Sequence, residues 1–182
     1  MSDKLKVVLA YTAICTIWGS TWLVIKVGLE TMTPLLSAGL RFALAAGILF
    51  TIIRLRAIPV PWNRTTRWFF LLTSLTSFSL PFGLVYWGEH RISSGMTSIL
   101  FATFPLWVTI MSSLMISSEK VTVQKVAGVL LGFSGVVTIF APDVTFDGNM
   151  ETVLGMGAVV LSAAIQAFSA VLIKKHGQEI SP

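Results

Sequence analysis

Few residues in this sequence could do chemistry, and most of them stand inside or at the end of long apolar runs. Arg41 interrupts the otherwise uncharged run Leu35–Ile53. A charge so placed is normally turned to a cavity, a partner or the nearest polar surface. Two readings of it stand. Arg41 lies seven residues past Pro34, about 10 Å along a helix, near enough to snorkel to an outer headgroup layer. Alternatively it guards a cavity mouth and pairs with Glu89, which closes the later run Trp68–Gly88 together with Tyr86, Trp87 and His90. His90 titrates near neutrality and could couple protons, or be a plain loop histidine, while the aromatic pair suits an interfacial belt. Trp18, Ser20 and Thr21 place an indole beside two hydroxyls, either along a polar pathway or at a packed helix contact. Thr103 and Gln166 are further polar groups in apolar surroundings, and the Gln166 amide demands a partner, whether solute or helix. Pro81 and Pro105 each remove a backbone donor and free a carbonyl, so both are expected helix breaks.

What must hold these residues is a membrane. The chain has 182 residues, 54% hydrophobic and 12% charged, about half the charge a soluble domain carries. The uncharged runs Val7–Ile25, Trp68–Gly88, Ile92–Ser118, Val126–Pro142 and Thr152–Ile173, with Leu35–Ile53, are each near the length a helix needs to span hydrocarbon. The expected fold is all-α and integral to the membrane, with about six transmembrane helices. With the N-terminus inside, ten basic residues fall on the cytoplasmic side, and only Lys26 and Arg91 fall outside. That asymmetry predicts both termini in the cytoplasm and the acidic loop of Asp143, Asp147 and Glu151 outside. It also accounts for the net charge of +5 without nucleic acid. The first run is too long for the apolar core of a signal peptide.

Turn residues fit these boundaries. Thr33-Pro34 opens the second span, Ser93-Ser94-Gly95 reverses the chain, and Gly148-Asn149 ends the acidic loop. Gly39 and Gly47, and Gly128 and Gly132, lie at small-xxx-small spacing and predict close helix packing. His90 beside Ser93 and Ser94 is a poor catalytic constellation, and no HExxH, CxxC or phosphate-cradling loop occurs. Enzymatic activity, a metal and a cofactor are not expected.

A shift of 148 residues aligns Thr21–Pro34 with Ser169–Pro182, matching Ile25, Lys26 and Pro34 to Ile173, Lys174 and Pro182. Five spans separate the copies, so the second is inverted, as in many secondary transporters. The same segments resemble the EamA-like permeases of the drug/metabolite transporter superfamily. The resemblance runs through Ile17-Trp18-Gly19-Ser20-Thr21-Trp22 with Val24-Ile25-Lys26, and Pro34 with Ala38-Gly39-Leu40-Arg41-Phe42. It continues in Glu89-His90 with Ser94-Gly95, Ala102-Thr103-Phe104-Pro105-Leu106, and the Gly/Leu-rich stretch 128–136. It implies ten helices as two inverted five-helix repeats, residues 1–142 being the first and 143–182 an external loop and the start of the second. It further implies export of small metabolites, such as amino acids or their derivatives, across the cytoplasmic membrane. The implied partners are the bilayer, a small-molecule substrate and the missing second half. The length leaves a non-transporting or half-transporter subunit as the alternative.

Overall fold

The computed structural model describes residues 3–119, 121–140 and 148–177. Lys120, Pro142, Asp143, Asp147, Ser181 and Pro182, on which the loop and repeat readings partly rest, lie outside the described residues. All regular structure among the described residues is helical. The first span is α1 (Asp3–Leu29) and the second is α2 (Pro34–Leu55). The third is α3 (Arg64–Ser74), a π-turn over Leu75–Ser79, and α4 (Leu80–Glu89). The fourth divides into α5 (Ser94–Phe101) and α6 (Phe104–Met115); α7 (Val123–Phe140) and α8 (Met150–His176) follow. Five of these stretches are long and apolar enough to cross a membrane, and α7 is a shorter apolar helix.

Local chemistry sets the ends. Pro34 sits in the first turn of α2, where its missing N–H costs nothing. Asn63 accepts from the Thr66 amide at 2.7 Å and caps α3, so Asn63-Arg64-Thr65 is a helix start. Ser93 does the same for Met96 and α5, and Asn149 for Glu151 and α8. Gly148 has φ +68°, a left-handed conformation that favours glycine before the cap.

The core lies where α4 meets α8, α1 and α2. Val85, Tyr86, Ile25, Leu29 and Ala38 form one cluster, and Ile92, Met96 and Val159 another. α8 runs antiparallel to the third span, with Gly155 beside Gly88 and Ser169 beside Thr76. A carbonyl of Gly155 lies 2.7 Å from where a Cβ on Gly88 would stand.

The glycine expectation is corrected here. A Cβ on Gly39, Gly47, Gly128 or Gly132 would meet no atom of the described residues within 4 Å, so among those residues these glycines make no close helix contact. α2 lies at the margin of the bundle, with only Ala38 buried. The tight approach forms instead between two glycines with no repeating small-residue pattern.

Candidate functional site

Two grooves run along adjacent faces of α1. One, of about 450 Å³, is lined by Trp18, Gly19 and Trp22 opposite Ser98, Phe101 and Pro105, among others. The Trp22 and Phe101 rings meet at 5.0 Å, and Phe104 stacks on Phe101 at 6.0 Å. The break between α5 and α6 borders this groove. Pro105 has no N–H to give to the Phe101 carbonyl four residues back, and Thr103 turns its hydroxyl to the Leu100 carbonyl at 2.6 Å.

The other groove, of about 530 Å³, collects Ser20, Thr21, Arg41 and Tyr86 from three spans, with Ser37. Ser20 donates to the Thr16 carbonyl at 2.8 Å, and the buried Thr21 to the Ile17 carbonyl at 2.8 Å. Hydroxyls satisfied by their own helix stay in an apolar wall at little cost and can re-pair with a solute. Arg41 points Nη1 at the Tyr86 hydroxyl (3.4 Å) and lies 5.8 Å from the Phe82 ring centre.

The Arg41–Glu89 pair therefore does not form, and that expectation is corrected. Arg41 stands at the level of Tyr86, most of a turn below Glu89. Glu89 is 0% exposed, and among the described residues neither carboxylate oxygen has a hydrogen-bond partner. The positive charge acting on it is Lys26, which donates to the backbone carbonyls of Glu89 and Ile92, each at 2.8 Å. An ammonium there closes the C-terminal end of α4, where unpaired carbonyls carry partial negative charge. His90 is exposed at the turn, lining neither groove. Arg91 stacks on Trp87 at 3.7 Å.

Gln166 and Pro81 meet at a third place. The Gln166 amide donates to the Ser77 carbonyl at 3.1 Å, and Pro81 is the residue that cannot. Beside them Ser169 joins Thr76 at 2.9 Å and Ser77 at 2.5 Å. Sequence reasoning singled out both Gln166 and Pro81 and missed the three hydroxyls and Lys26. The signal for Ser77 was its place four residues before a proline. For Lys26 it was a lysine at the end of a span on the side poor in basic residues. At the opposite end of α8, Lys174 pairs with Glu119, which Lys125 also approaches at 3.8 Å. The hydrogen bond from Lys174 holds the Glu119 carboxyl below its usual range.

Apolar helices broken by proline, hydroxyl-lined grooves and a buried unpaired carboxyl are the materials of a solute pathway. The sequence profile of the EamA-like transporter family matches residues 5–141. The chain belongs to that family. This EamA-like chain is similar to protein PagO of Salmonella typhimurium, 28% identical over 178 residues, which is 98% of this chain and 58% of that protein. It is 31% identical over 170 residues to an uncharacterised transporter of Archaeoglobus fulgidus, 93% of this chain and 59% of the other. It is 32% identical over 138 residues to the uncharacterised transporter YoaV of Bacillus subtilis, covering 76% and 47%. This EamA-like chain thus spans about three-fifths or less of the length of these relatives. No solved structure gives a significant match.

Proposed function

We propose that these residues form the first repeat and the opening helix of the second in a secondary transporter. It moves small metabolites, such as amino acids or their derivatives, out across the cytoplasmic membrane by alternating access. The observation that carries this reading is the groove of Ser20, Thr21, Arg41 and Tyr86, drawn from three spans and set against a bundle whose third and fourth spans are interrupted. A charge held on a phenol and a ring, with satisfied hydroxyls opposite, suits transient recognition of a polar solute. Gly39, Gly47, Gly128 and Gly132, open in this chain, suit contact with further protein, since small residues in a membrane helix let another helix approach. The open glycine faces of α2 and α7 favour one further reading, a half-transporter subunit that works beside a partner.

Reconstituted vesicles separate these readings. The 182 residues together with a segment supplying four more spans are expected to take up labelled amino acids saturably, and the 182 residues alone are not. Uptake by neither would sink transport of this substrate class, and uptake by both would remove the need for a second wall. The inverted-repeat site between halves is the reason for the expectation.

The orientation we propose, with both termini and the 54–67 loop in the cytoplasm, rests on the basic-residue asymmetry. After replacement of Cys15, a cysteine at Arg64 is expected to label from inside and one at Asn149 from outside. Equal labelling of Arg64 from both faces would mean dual topology.

A further inference from the structure

We propose that Gln166 is a positioning residue that makes the third span a hinge. Its carboxamide supplies the donor Pro81 lacks, and α3 moves about the π-turn against an α4 that stays fixed. Inside a bilayer no water is at hand to satisfy a freed carbonyl, so a helix break persists only where protein supplies the missing partner. Here the break is doubled, because the π-turn at Leu75–Ser79 is followed at once by Pro81. π-turns carry an extra residue and recur where helices must deform.

The bonds across this junction are unequal. Thr76 shares its hydroxyl between Ser169 at 2.9 Å and the Leu72 carbonyl at 2.7 Å. It can leave α8 without being stranded. The Ser77 carbonyl has lost its donor four residues on, and Gln166 reaches it at 3.1 Å. Gln166 is therefore the contact that decides whether the break is satisfied.

The two halves of the span are also held differently. α4 is fixed from two sides, by Lys26 on the Glu89 carbonyl and by the close approach of Gly88 to Gly155. It packs along α8 and against α2, whereas α3 buries only Thr66 and Thr73 among its residues. A span anchored at one end, broken in the middle and sparsely held at the other can bend at one place only. The use of that bend in alternating access rests on the transport reading, but the hinge itself does not.

Spin-label distances in the full chain in lipid nanodiscs, with Cys15 replaced, test the hinge. One pair of cysteines at Arg67 and Lys175 reports α3 against α8, and another at His90 and Glu151 reports α4 against α8. Gln166→Leu is expected to broaden and shift the first distance and leave the second unchanged. Pro81→Ala restores an amide proton, so the Gln166→Leu/Pro81→Ala double variant should recover the narrow first distance. An unchanged first distance, broadening of both pairs together, or failure of Pro81→Ala to rescue would each overturn the proposal. Should Gln166→Leu fail to insert, the unaltered chain still answers. The sequence holds one Ser-Phe dipeptide, Ser77-Phe78, so carbonyl-labelled serine with ¹⁵N-phenylalanine isolates the Ser77 carbonyl by solid-state NMR. A shift typical of a hydrogen-bonded carbonyl, changed in Gln166→Asn, supports the proposal. A free-carbonyl shift, or no change in Gln166→Asn, overturns it.

Discussion

Replacing Lys26 by methionine is expected to destabilise the folded chain by roughly 1–3 kcal/mol, the usual cost of leaving buried carbonyls without their charged donor. Methionine keeps most of the lysine's length and apolar stem, so the loss isolates the ammonium. That ammonium makes two bonds of 2.8 Å to the Glu89 and Ile92 carbonyls and is the positive charge acting on the Glu89 carboxyl. Lys26→Arg should cost much less, because the guanidinium still offers several donors. Adding Glu89→Gln to Lys26→Met should recover part of the loss, since the buried carboxyl then needs no counter-charge while the two carbonyls remain unpaired. Denaturant unfolding in mild detergent, followed by tryptophan fluorescence, measures these three variants, Glu89→Gln alone and the unaltered chain. Strictly additive effects of Lys26→Met and Glu89→Gln would mean that Lys26 serves the carbonyls alone.

The same residues show what sequence could and could not convey. Span limits were legible because hydrocarbon thickness fixes helix length, and because Pro34 acts through its own backbone and Ser93 and Asn149 through side-chain caps on the helix that follows. The breaks were legible as well, since a proline's missing donor is a property of one residue. Partnership across helices was not. One of the two readings of Arg41 paired it with Glu89, because both lie toward one side of the membrane. Helix rotation and rise instead set Arg41 beside Tyr86 and turned Glu89 into the bundle beneath Lys26. The Gly-rich faces of α2 and α7 announced a capacity for close packing but not which surface would use it. Gln166 shows the boundary well. Its need for a partner was plain from its surroundings, and that the partner would be the carbonyl released by Pro81 depended on the antiparallel register of α8.

That register makes Gly88 the most demanding of the glycines. Gly88→Ala is expected to destabilise the chain by about 1–3 kcal/mol, the range for overpacking a well-filled contact. A Cβ at Gly88 would lie 2.7 Å from the Gly155 carbonyl oxygen and 2.9 Å from a methyl of Val159. The methyl can rotate aside, but the carbonyl belongs to the α8 backbone, so α4 and α8 must part. At Gly155 the added Cβ would stand 3.1 Å from the Arg91 Cβ and 3.2 Å from the Gly88 carbonyl oxygen. That is tight but open to a few tenths of an ångström of relief, and Gly155→Ala should cost less. Gly39→Ala and Gly128→Ala meet nothing within 4 Å, and alanine's better helix propensity should leave them neutral or stabilising by up to about 1 kcal/mol. Thermal unfolding of the four variants in one detergent would measure the order. Equal losses at Gly88 and Gly39 would mean that α4 and α8 do not meet at Gly88 in the membrane. The contact also lies one residue from Glu89, whose carbonyl Lys26 holds. A Gly88→Ala protein should therefore lose stability less than additively when combined with Lys26→Met, because parting α4 from α8 already weakens the end of α4 that Lys26 secures.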